Sequence, residues 1–291
     1  GEGFPRFARK DRYHSITFKS VKMDGGYKAV LPKLGTVRFF GTRLPEGELQ
    51  RATITKEING YFISILTKKE VDIKPKLFYS ENQAVGIDMG VNFFYVTSDG
   101  EFVDNPHFFK TQQNQMRILQ RALARKRKDS SNYKDAQRRI AKLHNKIRCQ
   151  RLDFLHKAAN NILVYDFIAA EKLQLKNMTK SAKGTIEEPG TNVKQKSGLN
   201  RSMLDLGIGI FFDIIRYKSG WQGKMFVQVP PQNTSNTCNI CGYSDKNNRK
   251  TQSEFICLKC GHSENADFNA SENIKGKGIP FFRQREALAC A

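Results

Sequence analysis

The chain has 291 residues, with 49 Lys and Arg against 28 Asp and Glu, a formal net charge of +21. That length suits two or three domains with real cores. The charge points to a polyanionic partner, most simply nucleic acid, with an anionic membrane surface as the rival. Crossing a bilayer is excluded for want of any run of 18 apolar residues, since 204–215 is broken by Asp205 and Asp213.

Residues 10–80 read as short strands of a small barrel. "YHSITFKS" alternates, "TVRFF" follows, and "ATITKEINGYFISILT" carries Asn59-Gly60 between two β-rich runs. That dipeptide predicts a hairpin with a type I′ turn. "NQAVGIDMGVNFFYVTSDGEFV" (82–103) opens a second domain as a three-stranded meander, its first strand ending at Asp88.

From 112 to 165 apolar residues recur at three and four, and "KDSSN" (128–132) divides the stretch into a helical hairpin. Residues 121–150 hold eleven Lys or Arg and two acids. A solvated face explains many charge runs, but this imbalance favours phosphate contact, through Arg125, Lys126, Arg127, Lys128, Arg138 and Arg139 among others. "DFIAAEKLQL" returns to a strand with Glu171 near its end, and 176–200 reads as a mobile loop, a candidate lid. "SMLDLGIGIFFDIIRYKSGW" predicts one buried amphipathic helix, "KMFVQVPP" a strand, and "ADFNASENIK" a final helix.

Cys238-x2-Cys241 and Cys257-x2-Cys260 stand fifteen residues apart, each pair followed by Gly, at 242 and 261. Two such turns aim four thiolates at one tetrahedral Zn²⁺, and glycine accepts the positive φ of a tight knuckle. A closed set of four thiolates has no open position, so this zinc is structural. Cys149 and Cys290 are isolated, and the whole pattern reads as a reducing compartment with one metal site.

Three acids stand out by position: Asp88 and Glu171 at strand ends, and Asp267 at the start of the last helix. In an RNase H-like sheet these places converge on one edge. Three carboxylates there repel one another unless cations neutralise them. Two Mg²⁺ ions do so and activate water for phosphodiester hydrolysis. Taken singly, each acid also has a plain reading as a turn residue, an exposed strand acid or a helix N-terminal charge. Separations of 83 and 96 residues leave convergence undecided.

"GIDMGV", "IAAEKLQLKNM", "SGWQGKMFVQVPPQNTSNTCNICGY", "FICLKCGHSENADFNASENI" and "REALACA" occur in one order. Together they resemble the TnpB (OrfB) family of insertion-sequence proteins, relatives of the type V CRISPR effectors. The resemblance implies an α/β plus small-β architecture: a wedge-type β-barrel over 1–80, a RuvC-like nuclease of RNase H fold over 81–230 and 264–291 carrying the helical hairpin, and a zinc ribbon over 231–263. It implies an RNA-guided DNA endonuclease of the prokaryotic cytoplasm, with guide RNA and target DNA as partners and no membrane. Asp88, Glu171 and Asp267 match the family's catalytic, Mg²⁺-binding acids. Cys238, Cys241, Cys257 and Cys260 match its zinc ligands, and Arg249 a substrate-strand contact. Full-length members carry a longer front with a helical recognition part, most of which this chain is expected to lack. The rival readings are a non-cleaving RNA- or DNA-binding regulator, a transposition accessory protein or transposase, and an RNase that trims its own guide. No His-x-His with a downstream Tyr nucleophile supports a transposase that handles strands itself.

Overall fold

The structure is a computed structural model that describes residues 13–73, 81–185 and 187–289. The front of the family-like stretch, Cys290, and the side chains of the closing "REALACA" lie outside the described residues. The chain divides into two compact units: Gly1–Asp72 with Leu119–Asn145, and Ile73–Ile118 with Lys146–Ala291.

The first unit holds two antiparallel three-stranded sheets. One is ordered β1-β5-β6, from β1 (Ser15–Phe18), β5 (Glu48–Glu57) and β6 (Gly60–Lys68). The other joins β2 (Lys22–Met23), β3 (Lys28–Leu31) and β4 (Gly35–Arg38). Both feed one core around Val21, Ala29, Leu31 and Ala52, with Ile54, Ile63 and Ile65 packed on it. Among the described residues no ladder joins the sheets, so the expected barrel is not closed. Strands of two to four residues are too short to carry a tilted ladder around a ring. The β5–β6 hairpin forms as expected, but not through a type I′ turn at Asn59-Gly60. Its loop residues are Ile58 and Asn59, neither at positive φ, and Gly60 takes φ +138 as the first residue of β6. The loop lies one residue earlier than the dipeptide signal implies, and the positive φ that glycine accepts cheaply falls just after it.

The helical hairpin is α1 (Phe108–Ala124) and α2 (Ser131–Ile162). Between them Asp129 adopts φ 64, and the Ser130 hydroxyl accepts the Tyr133 N–H at 3.1 Å, an N-cap that restarts the helix.

The second unit is built on a five-stranded sheet. β7 (Ala84–Met89), β8 (Phe93–Thr97) and β9 (Phe102–Asp104) form the antiparallel meander. β10 (Phe167–Glu171) then lies parallel to β7, and β11 (Met225–Val229) parallel to β10, giving the order β11-β10-β7-β8-β9. A short helix α3 (Leu175–Met178) follows β10. The expected single helix over 202–221 is two, α4 (Val193–Leu206) and α5 (Ile208–Trp221), separated by Gly207 at φ 68. The left-handed glycine ends one helix and starts the next. The stretch read as a loop, 176–200, is therefore helical at both ends. The last helix, α6, runs Ala266–Ala289.

Alternation along the strands sends successive side chains to opposite faces. Val85 and Ile87 of β7 and Ile168 and Ala170 of β10 meet α2 and α5, where Leu155, Ile162, Phe211 and Ile215 are fully buried. Phe94 sets its ring edge-on to both Phe154 and Phe211, with centroids 4.9 Å apart in each pair. Ala84, Phe167, Ala169 and Val229 face the other way, onto Ile274 of α6. That second face is shallow. A Cβ on Gly86 would stand 2.1 Å from the Ser271 carbonyl oxygen and 2.6 Å from the Lys275 nitrogen, and one on Gly278 would stand 2.7 Å from Ala169 Cβ. Helix and sheet therefore touch backbone to backbone.

Gly86→Ala must push α6 outward and is expected to destabilise the protein by about 1–3 kcal/mol. Gly276→Ala, on the same helix with nothing within 4 Å of the added carbon, is expected to stabilise it by about 0.5–1 kcal/mol. Urea unfolding of the two variants checks both signs.

Candidate functional site

The alternation that sorts the core also places two of the acids. Asp88 shares a face with Ala84 and Gly86, and Glu171 with Phe167 and Ala169, so both belong to the face covered by α6. Ala170 pairs with Ile87, so Glu171 and Asp88 occupy the next rung, at the carboxyl ends of adjacent parallel strands. Asp267 lies in the first turn of α6, above that edge. Asn265 caps this helix, its side-chain oxygen accepting the N–H of Asp267 at 2.9 Å and of Phe268 at 3.2 Å.

All three acids line one cleft of about 320 Å³, together with Arg249, Ser235 and Gln252. Burial pushes the Asp88 carboxyl up to about 8, and the charges of Asp267 and Glu171 push the same way against Arg249. Burial also raises Glu171, opposed by the Thr234 hydroxyl, which donates to its carboxylate at 2.9 Å, and by Lys277. The Arg249 guanidinium lies 3.0 Å from the Asp267 carboxylate and also donates to the Gln252 carbonyl at 2.6 Å. The three carboxylates do not form a tight cage. Among the described residues the four cysteines are the one group of three or more candidate metal ligands whose ligand atoms all lie within 4.8 Å of one another. Arg249 pairs with Asp267, and Thr234 with Glu171.

Cys238, Cys241, Cys257 and Cys260 do come together, with sulfurs 3.8 Å apart for Cys238–Cys260 and 3.5 Å for Cys241–Cys257. A tetrahedron of bonds near 2.3 Å has edges of about 3.8 Å, so this donor set fits a closed four-thiolate metal. The two knuckles repeat each other. Gly242 and Gly261 take φ 71 and 75, and their N–H groups bond the Cys238 and Cys257 carbonyls at 2.9 and 3.0 Å.

Sequence reasoning missed the residues that join knuckle to helix. Asn269 of α6 is fully buried. It donates to the Thr237 carbonyl at 2.8 Å and accepts the Asn239 N–H at 3.0 Å. Asn273 reaches the Thr234 and Thr237 carbonyls at 3.0 and 2.7 Å. The signal was an asparagine pair spaced i, i+4 on a helix whose neighbouring residues are buried. Arg125, Lys126, Arg127 and Lys128 lie exposed in the turn between α1 and α2, and Arg138 and Arg139 lie exposed on α2. All six belong to the first unit, not to the unit that holds the cleft, and Arg138 pairs with Asp135 at 2.9 Å.

Two family models match the chain. OrfB_IS605, described as "Probable transposase", covers residues 64–182, and the Cas12f1-like TNB domain covers 209–274. Asp88 and Glu171 fall in the first, and the four cysteines and Asp267 in the second. "Putative RNA-guided DNA endonuclease InsQ" of Escherichia coli K12 is 37% identical over 278 residues, 94% of this chain and 68% of that protein. The chain belongs to the TnpB (OrfB) family of insertion-sequence proteins. A "Putative RNA-guided DNA endonuclease" of Streptomyces pristinaespiralis is 28% identical over 81% of this chain, which spans 55% of it. A solved Cas12f1–sgRNA–target DNA complex aligns over 90% of this chain and 66% of that one, with 18% identity and a TM-score of 0.45.

The raised Asp88 carboxyl sets a pH dependence. Unfolded, it releases its proton near 3.9, while folded it keeps the proton to about 8. The folded state binds more protons across that interval, so its stability falls as pH rises. The unfolding midpoint of metal-free protein is expected to drop between about pH 5 and about pH 8, and Asp88→Asn to flatten that slope. Thermal melts across the pH series check it.

Proposed function

We propose that this chain carries the nuclease core of an RNA-guided DNA endonuclease, hydrolysing DNA phosphodiesters with divalent-metal assistance. The observation that carries the reading is the single cleft. Three acids from β7, β10 and α6 line it, and burial, helped by the charges of Asp267 and Glu171, raises the Asp88 carboxyl to about 8. Such a group is poised to lose its proton to a cation. Asp88, Glu171 and Asp267 would hold Mg²⁺, in all two ions. The chemistry that Mg²⁺ would supply there is activation of the attacking water and stabilisation of the leaving oxygen. Thr234 fixes the Glu171 carboxylate, and Arg249 holds Asp267 at the cleft wall. Cys238, Cys241, Cys257 and Cys260 would hold a structural Zn²⁺.

In this reading the sheet of the second unit, a meander extended by two parallel strands, is RuvC-like, with residues 231–263 as the inserted ribbon and 1–80 as the wedge part. Guide RNA and target DNA are the partners. Arg125, Lys126, Arg127, Lys128, Arg138 and Arg139 would contact phosphates, which their exposure and the net charge of +21 support. No helix is long and apolar enough to cross a membrane among the described residues, and the proposed place of action is the prokaryotic cytoplasm.

Asp88→Ala is expected to lower Mg²⁺-dependent cleavage of guide-matched DNA at least about a hundredfold with the fold retained. Gel analysis of labelled strands measures it; equal cleavage by the variant sinks the Asp88 site, and no cleavage by either protein favours a non-cleaving binder. Purified protein is expected to carry one zinc, released when the thiols are modified. Colorimetric zinc release finding no metal overturns that assignment.

A further inference from the structure

The cleft lining is mixed. The acids, Arg249 and Ser235 supply polar groups, and half of the lining is apolar, including Leu173, Met178, Leu199, Met203 and Leu206. Leu173 follows Glu171 at the exit of β10, and the other four come from α3 and α4, which carry no acid of the site.

The apolar lining is built. Lys196 of α4 donates to the Met178 carbonyl at 2.6 Å, and Asn200 donates to the carbonyls of Thr179 and Lys180 at 2.9 and 3.1 Å. Two side chains of α4 thus fasten the end of α3. Gly207 then turns the chain so that Leu206 and Ile208 both enter the core, anchoring α4 from below. Leu199 nevertheless leaves nearly half its surface, 46%, in solvent.

Resting on the nuclease reading, we infer that Met178, Leu199 and Met203 receive the unpaired base of the nucleotide beside the phosphate being cut. Charge complementarity selects the occupant. A ligand here must present an anionic, cation-bridged group to the carboxylates and a flat apolar body a few ångströms away, and a nucleotide unit has both. The volume, about 320 Å³, lies at the small end of ligand pockets and holds one nucleotide rather than a base pair. Thioether and aliphatic side chains pack against any base face without reading its edge, so the contact is tolerant of sequence. It also turns a paired base away, because the base must leave its stack to reach the wall.

The test uses the 291-residue chain and a set of hairpin DNAs with a short single-stranded overhang, whose stem fixes the register, each with 2-aminopurine at one overhang position and bound with Ca²⁺ in place of Mg²⁺ so that the phosphate is bridged but not cut. One position is expected to change fluorescence on binding far more than the others. Leu199→Ser with Met203→Ser is expected to remove that response and to weaken binding by about threefold to tenfold. Uniform response along the strand, or a response that survives the double substitution, overturns the inference. Lys196→Ala, which frees α3 without altering a lining side chain, is expected to blunt the response partly and serves where the double variant does not fold. With Mg²⁺ added, the responding position is expected to flank the cut. Cutting abolished by Asp88→Asn but without a responding position leaves the nuclease reading standing and the wall refuted. A responding position with no cutting by unsubstituted protein does the reverse.

Discussion

Helix α6 approaches the sheet more closely than a side chain would permit, and the cleft depends on that approach. The absence of a Cβ at Gly86 and Gly278 lets the Ser271 carbonyl and the Lys275 amide rest on β7, and Ala169 meet the helix. An ordinary helix–sheet separation would lift Asp267 away from the strand ends that carry Asp88 and Glu171. The contact is also where the molecule is least forgiving. Backbone atoms cannot rotate out of the way as a methionine can.

The ribbon is fastened to this arrangement at several points. Asn269 and Asn273 tie α6 to residues 234–239, Thr234 reaches on to Glu171, and Arg249 crosses to Asp267. Each bond joins the cysteine-bearing segment to a sheet or helix that carries an acid. The geometry of the thiolates and of the carboxylates is therefore coupled through short polar contacts, several of them shielded from water, where hydrogen bonds are electrostatically stronger.

Much of this was legible in the sequence. Matched knuckles with a glycine behind each encode their own geometry locally, and the four sulfurs meet as the spacing implies. The meander, the hairpin break at residues 128–132 and the last helix follow from periodicity and capping. Three readings went astray where local signals competed. The dipeptide at residues 59–60 offered a type I′ turn, but the loop closed one residue earlier. Gly207 looked tolerable inside an apolar helix, yet its left-handed φ divides that helix in two. Polar residues 193–200 looked like loop, but they present Leu199 and, a turn later, Met203 to a cleft wall that composition does not announce. The joining of Asp88, Glu171 and Asp267 on one cleft was beyond local pattern. It rests on register between parallel strands far apart in the chain, and register is a tertiary property.

The order of synthesis adds a consequence. Asp88 and Glu171 emerge early and can pair within the sheet, but the helix that brings Asp267 follows the whole ribbon. During translation the two buried acids wait beside an uncovered sheet face, in a polypeptide unable to assemble its full acidic trio. The cleft is thus left incomplete in every nascent intermediate until α6 has been made and has docked.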